Sequence, residues 1–349
     1  MTDEKYTITH MGKTFKTKHW INISEKECKK IREKYLEKPS NKQVDGQLRK
    51  LVDGGKIISH IKNYYFKDLM AKVRLHSARW SIEEMLQCDD LIRYYYSRIM
   101  SNKKVYPPRK GIHANFASAI RISGGRIAMN PSNFPIKTID YILGKYNVNG
   151  KYYDFSCGWG VRMLSSLRNK VDYFGTDPNN LLVDRLHQLA KDYDKVNQCS
   201  SITDIRCAGS EIFVPEWKST FGCIFSSPPY YILEDYKVGN QSVYLPPGNG
   251  KDGKEDGLKS YQKWIETYVE PTVKNCVEYL VDGGYFAINM KNTLSLPMYD
   301  DIYGILSNNR QLEFVCEEKL QNIRRPSIKK DINTDEKIMV FQKKFINLL

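Results

Sequence analysis

The sequence predicts an α/β protein in two parts: a mainly helical, basic region over residues 1–115, then a doubly wound, mostly parallel sheet over residues 116–349. Three observations carry this. The chain has 349 residues, 41% apolar and 27% charged, a composition that suits a globular protein able to bury a large core. From about residue 116 short β-rich runs alternate with helical stretches. The net charge of +14 is uneven, with 25 Lys+Arg against 13 Asp+Glu in residues 1–115 and 29 against 27 thereafter. A basic first third fits a polyanionic partner; a Lys-rich solvated surface is the plainer alternative.

Several classes are set aside at once. No run of about 18 apolar residues exists, so no membrane span is expected. The first 18 residues are polar and lack the apolar stretch of a secretory signal. Eight scattered cysteines contain no C-x-x-C pair, which points to reduced thiols in a cytoplasmic protein and to no metal site.

In the first third, Ser24-Glu25-Lys26-Glu27 and Ser81-Ile82-Glu83-Glu84 have capping-box spacing. Ile23 and Trp80 precede the caps, and Met85 is placed to staple against Trp80. Tyr64, Tyr65 and Phe66 lie beside Lys62 and Lys67. A second cluster holds Arg93, Tyr94, Tyr95, Tyr96, Arg98, Lys103, Lys104, Tyr106, Arg109 and Lys110. Basic residues among aromatics hold phosphates and stack bases; tyrosines on an amphipathic helix also serve as core. Pro107-Pro108 marks the boundary.

Beyond it, strands are expected at 152–155, 172–176, 203–208, 221–226 and 285–290, with a closing pair at 314–320 and 337–342. Helices are expected at 161–168, 180–192 and 261–280, the last kinked or split by Pro271. Three constellations sit at strand ends. Asp154-Phe155-Ser156-Cys157-Gly158-Trp159-Gly160 is a glycine turn into a helix. Met163 stands where a dinucleotide fingerprint needs a third glycine, which disfavours a pyrophosphate loop. Asp177, ending the next strand, suits a ribose diol or the cap of the following helix. Ser226-Ser227-Pro228-Pro229-Tyr230 follows the 221–226 strand; its prolines stiffen the turn and free carbonyl acceptors beside Ser227 and the Tyr230 ring.

In this order, with S-P-P-Y about 70 residues after the glycine turn, the residues resemble the S-adenosylmethionine-dependent DNA amino-methyltransferases of the N4-cytosine/N6-adenine type. The resemblance spans roughly residues 128–344 and includes Asn130-Pro131-Ser132-Asn133-Phe134-Pro135. It implies a Rossmann-like methyltransferase fold with a mostly parallel seven-stranded sheet, and S-adenosylmethionine as cofactor. The cofactor is then held by Asn133, Phe134, Asp154, Ser156, Gly158, Trp159 and Gly160 around its methionine end. Asp177 is implied at the ribose, with Ser210 and Glu211 near the adenine. Ser227, Pro228, Pro229 and Tyr230 are the implied catalytic residues, gripping the exocyclic amine of a flipped base in double-stranded DNA. Serine at the first motif place is most frequent in N4-cytosine enzymes. The C5-cytosine route needs a Pro-Cys nucleophile, and the sequence has no Pro-Cys dipeptide.

Neither usual place for a target-recognition domain has room. The expectation is that residues 1–115 clamp nucleic acid through Arg93, Arg98, Lys103, Lys104, Arg109 and Lys110. The 231–259 segment, with Glu234, Tyr236 and Gln241, then closes the pocket as a mobile loop. Alternative readings are an RNA base methyltransferase and a catalytically idle DNA-binding or anti-restriction protein. The Lys/Asn/Ile/Tyr-rich composition fits an AT-rich microbial or viral genome, and the resemblance implies a bacterial or phage enzyme of the restriction-modification kind.

Overall fold

A computed structural model describes residues 6–55, 58–75, 78–102, 115–117, 119–120, 127–131, 133–231, 234–236, 257–293, 296–320 and 336–345. The chain divides into two compact units. Their limits do not follow a single cut at residue 115. One unit takes residues 1–40, 66–132 and 233–238, and the other 41–65, 133–232 and 239–349.

The first unit opens with a β-hairpin absent from the expected elements. Tyr6–His10 pairs antiparallel with Lys13–Thr17, Ile8 opposite Phe15. Met11 and Gly12, at φ 48° and 70°, lie in the left-handed region and form a two-residue turn whose twist matches the right-handed twist of the strands. Only Ile8 and Thr17 of the ten strand residues are buried, so the apolar alternation is faint. Both expected capping boxes are present. Ser24 caps the helix Glu25–Leu36 with Glu27 reaching back, and Ser81 caps Ile82–Leu86 with Glu84 reaching back. Trp80 and Met85 are both buried, as a hydrophobic staple requires. The helix Asp89–Ser101 turns Leu91, Ile92, Tyr94, Tyr95 and Ile99 inward. Glu234–Asp235 adds a short antiparallel ladder to Arg74–Leu75.

The second unit holds a seven-stranded sheet. Its strands are β1 (Lys151–Asp154), β2 (Asp172–Thr176), β3 (Thr203–Arg206), β4 (Phe221–Ser226), β5 (Leu280–Met290), β6 (Leu312–Lys319) and β7 (Lys337–Lys343). They lie in the order β6-β7-β5-β4-β1-β2-β3. The pairs β1–β2, β2–β3, β1–β4 and β4–β5 are parallel, while β7 runs antiparallel between β5 and β6. The chain moves outward from β1 to β3, then returns to lay β4 on the other side of β1. The carboxyl ends of β1 and β4 therefore flank a topological switch point, where open α/β sheets leave a crevice.

Helices Val161–Arg168 and Asn180–Asn197 follow β1 and β2. Residues 41–65, expected with the basic region, pack here instead. Tyr65 donates to Asp192 at 2.5 Å, Arg185 to the Tyr65 carbonyl at 2.7 Å, and Asn197 to the Leu48 carbonyl at 3.3 Å. Pro271 splits its helix as expected. Gly257–Trp264 widens into a π-turn, Ile265–Val269, before Glu270–Tyr279 resumes. Proline has no N–H for residue 267 to accept and its ring crowds that carbonyl, so the turn opens. The core beneath β1 and β4 is aromatic: the Tyr153 ring stacks on Phe221 and tilts against Trp217.

Candidate active site

The site is built at the ends of β1, β2 and β4. The turn after β1 needs its glycines for backbone conformation. Gly158 and Gly160 sit at φ 55° and 73°, and Gly160 opens the helix Val161–Arg168. Gly175 in β2 answers a different need, since a Cβ there would stand 2.5 Å from the Cys157 sulfur.

Asp154 is enclosed at the centre of this turn. Its carboxylate accepts from Arg162 Nε at 2.8 Å, Ser226 Oγ at 2.7 Å, Tyr173 OH at 3.0 Å and the Ser156 N–H at 3.3 Å. Arg162, also buried, donates in addition to the Ser156 carbonyl. The expectation that Asp154 meets a ligand is corrected: it is 0% exposed and its acceptors are committed within the protein. A sheet-centre carboxylate is tolerable only when paired and hydrogen-bonded, and here it ties β1, β2 and β4 together.

Asp177 is arranged differently. Its two oxygens accept backbone N–H groups of Gly158 at 3.4 Å and Asn179 at 3.0 Å. Asn179, not Asp177, caps the helix Asn180–Asn197. Desolvation raises the Asp177 pKa to about 6 against the pull of those N–H groups, and the Asp154 charge adds to the rise.

Phe134 meets Phe225 edge-on at 5.4 Å, and the Arg162 guanidinium lies 6.0 Å from its ring. The neighbouring Asn133 Oδ1 is buried without a hydrogen-bond partner. Tyr268, projected from the π-turn, shares a hydrogen bond with Ser156 Oγ at 3.3 Å and one with Ser210. Ser210 is held by Thr272 at 2.9 Å and by Asn275, which donates to its carbonyl at 3.0 Å. The Glu211 carboxylate folds over Gly209. Ser156, Gly158, Gly160, Asp177 and Ser210 thus belong to one connected group of strand-end turns, and Phe134, with Asn133 beside it in sequence, joins them from the segment before the helix Ile136–Tyr146.

After β4, Ser227, Pro229 and Tyr230 are partly exposed while Ser226 and Pro228 are buried. Tyr231 then adopts φ 50°, unusual for a bulky residue, and its ring packs against Tyr261 and Trp264. Asn289 of β5 donates to Ser227 Oγ at 3.1 Å and to Tyr230 OH at 2.9 Å. Lys291 Nζ lies 5.8 Å from the Tyr230 ring centroid. Arg162, Tyr173, Tyr268 and Asn289 escaped the sequence reading. Arg162 alone left a signal, an arginine in the first turn of the helix that the glycine turn opens, with Ser165 and Ser166 on its own helical face.

The thiols next to the site are not activated. Cys157 and Cys223 are buried, and burial raises both well above an ordinary thiol. Among the described residues no cluster of His, Cys, Asp and Glu could hold a metal ion. No described helix is long and apolar enough to cross a membrane.

Two residues of the expected clamp are described, and both make contacts within the unit. Arg93 is committed inward, to Asp90 at 2.8 Å and the Ile23 carbonyl at 3.1 Å. Arg98 donates to Tyr94 OH at 3.0 Å. Of the two roles the sequence left open for Tyr94 and Tyr95, the core one is found: helical periodicity turns both toward the unit's interior. Lys103, Lys104, Arg109 and Lys110 lie outside the described residues, as does 237–256 of the expected closing loop.

No family model matches the chain, and no curated protein matches it. Solved structures similar to it include an rRNA methylase from Streptococcus thermophilus, 12% identical over 62% of this chain and 99% of that one, TM-score 0.38. A TehB-like SAM-dependent methyltransferase from Corynebacterium glutamicum is 14% identical over 68% and 100%, TM-score 0.39. The N-methyltransferase NodS from Bradyrhizobium japonicum is 12% identical over 60% and 93%, TM-score 0.36. The strand order, with one antiparallel strand inserted beside the last parallel one, gives this unit a Rossmann-like methyltransferase fold.

Proposed function

We propose that the protein transfers a methyl group from S-adenosylmethionine to the exocyclic amino group of a base in DNA, N4 of cytosine or N6 of adenine. The observation that carries this reading is the placement of Ser227-Pro228-Pro229-Tyr230 at the end of β4, on the rim of the switch-point crevice. Two consecutive prolines there restrict the backbone and remove two N–H donors. Their effect is to hold backbone carbonyls and one aromatic ring in fixed relation.

The residues fit the cofactor. Asn133 Oδ1 is a buried acceptor still to be used, suited to the ammonium of the methionine part. Asp177 faces the glycine turn with carboxylate oxygens able to take a ribose diol. The positive-φ turn at Gly158 and Gly160 brings backbone, not side chains, to the crevice. When bound, the cofactor supplies an electrophilic methyl on a sulfonium.

The chain's own part is positioning. The amine lone pair is delocalised into the base and is a weak nucleophile. Ser227 Oγ and the Pro228 carbonyl accept hydrogen bonds from the amine's two N–H groups and draw the nitrogen toward a pyramidal, more nucleophilic form; the one proton the nitrogen sheds on methylation passes to solvent. The Tyr230 ring stacks on the base, which must leave the helix to reach it. Prolines pre-set these groups, so little reorganisation is needed on binding.

Incubating the protein with radiolabelled S-adenosylmethionine and duplex DNA, single-stranded DNA or RNA tests the reading, with nucleoside mass spectrometry identifying the product. N4-methylcytosine or N6-methyladenine in DNA is the expected result. Label in RNA alone moves the substrate to RNA, and no label with any substrate while the cofactor binds favours an idle fold.

A further inference from the structure

We propose that Asn289 is the positioning residue of the S-P-P-Y turn, acting on the target amine only through Ser227 and Tyr230; this rests on the amino-methyl transfer reading above. Asn289 lies near the end of β5, one residue beyond Ile288, which pairs with Ser226 at the end of β4. It is 1% exposed, so it cannot itself touch a substrate. Both hydrogens of its amide are used, one on Ser227 Oγ at 3.1 Å and one on Tyr230 OH at 2.9 Å. These two hydroxyls belong to the partly exposed residues at the rim, and one buried amide joins them.

The other half of that amide shows why it is not there for stability. Asn289 Oδ1 is buried with no hydrogen-bond partner. An unsatisfied buried acceptor costs stability, and a leucine, which has the same branched heavy-atom skeleton but somewhat bulkier methyl branches, would remove that cost. What leucine cannot do is hold the two hydroxyls. Without the amide, the Ser227 hydroxyl is free to explore three staggered rotamers, and the Tyr230 phenol loses its anchor on β5. The serine must present a lone pair to an amine and the ring must meet the base face, so loss of either alignment slows transfer more than binding. Proline fixes the backbone of the turn, and Asn289 fixes its side chains.

Single-turnover methyl transfer tests this with Asn289→Leu, Tyr230→Phe and the double variant. Asn289→Leu should lower kcat on the order of 10- to 100-fold, with KM for nucleic acid and affinity for S-adenosylmethionine changed less than about threefold and the melting temperature unchanged or raised. Tyr230→Phe alone should slow transfer by a smaller factor. The double variant should be no slower than Asn289→Leu, because the tyrosine hydroxyl contributes only while anchored. A leucine variant within twofold of wild type, penalties that multiply in the double variant, or joint loss of cofactor binding and melting temperature would each overturn the assignment. Wild-type protein that methylates no nucleic acid overturns the reading beneath it, and is told apart because the wild-type arm alone decides it.

Discussion

The ends of β1 and β2 each carry an aspartate, and the two have opposite fates. Asp154 spends its oxygens on Arg162, Ser226, Tyr173 and Ser156, and is sealed in the sheet. Asp177 receives backbone N–H groups, and burial lifts its pKa to about 6. One carboxylate is satisfied by its own protein; the other is held charged at a cost. A strand-end acid becomes a ligand group or a structural knot according to what neighbouring strands bring to it, not according to its position in a motif.

The largest expected effect breaks the knot. Asp154→Ala strands the buried Arg162 charge and two hydroxyl donors, and should destabilise the fold by about 3–5 kcal/mol. Urea unfolding measures it, and a loss below about 1 kcal/mol would show that Arg162 finds another partner. Next, Asp177→Ala should weaken S-adenosylmethionine binding on the order of 10- to 100-fold in calorimetry. Its melting temperature should be unchanged or raised, since a raised carboxyl pKa means that the charged form is disfavoured in the folded state. Equal loss of stability in both variants would erase the contrast between the two residues.

The pH dependence sharpens it further. The folded Asp177 holds its proton up to about pH 6, and an unfolded carboxyl releases it near pH 4. This group therefore makes the ligand-free protein less stable as pH rises from about 4 through about 6, with no further change above. Cofactor affinity should run the other way, rising as the carboxylate forms. Melting curves and calorimetry at several pH values, compared with Asp177→Asn, test both slopes. The smallest effect lies far from the site. Ser81→Ala removes a helix cap and should cost about 1 kcal/mol without altering cofactor binding.

Much of the second unit was legible because its signals are local. The helix Val161–Arg168 and the strands Asp172–Thr176 and Phe221–Ser226 fall at the expected residues, each bounded by a glycine, aspartate or proline turn. Both capping boxes read correctly for the same reason, since their partners lie three residues apart. The hairpin at residues 6–17 was missed because its faces are mostly exposed and polar. The role of Tyr94 and Tyr95, base stacking or core, stayed open in the sequence because a basic neighbour says nothing about which helix face is buried.

The sequence by itself determined where strands end and which turns follow them, because hydrophobic period, caps and proline act over a few residues. Only the tertiary structure decided that Ser226 serves Asp154, that Asn289 reaches Ser227 and Tyr230, and that residues 41–65 pack on the helix Asn180–Asn197. Each of those contacts joins residues about 60 to 150 positions apart, and strand order, which no short stretch of sequence encodes, brings the first two together.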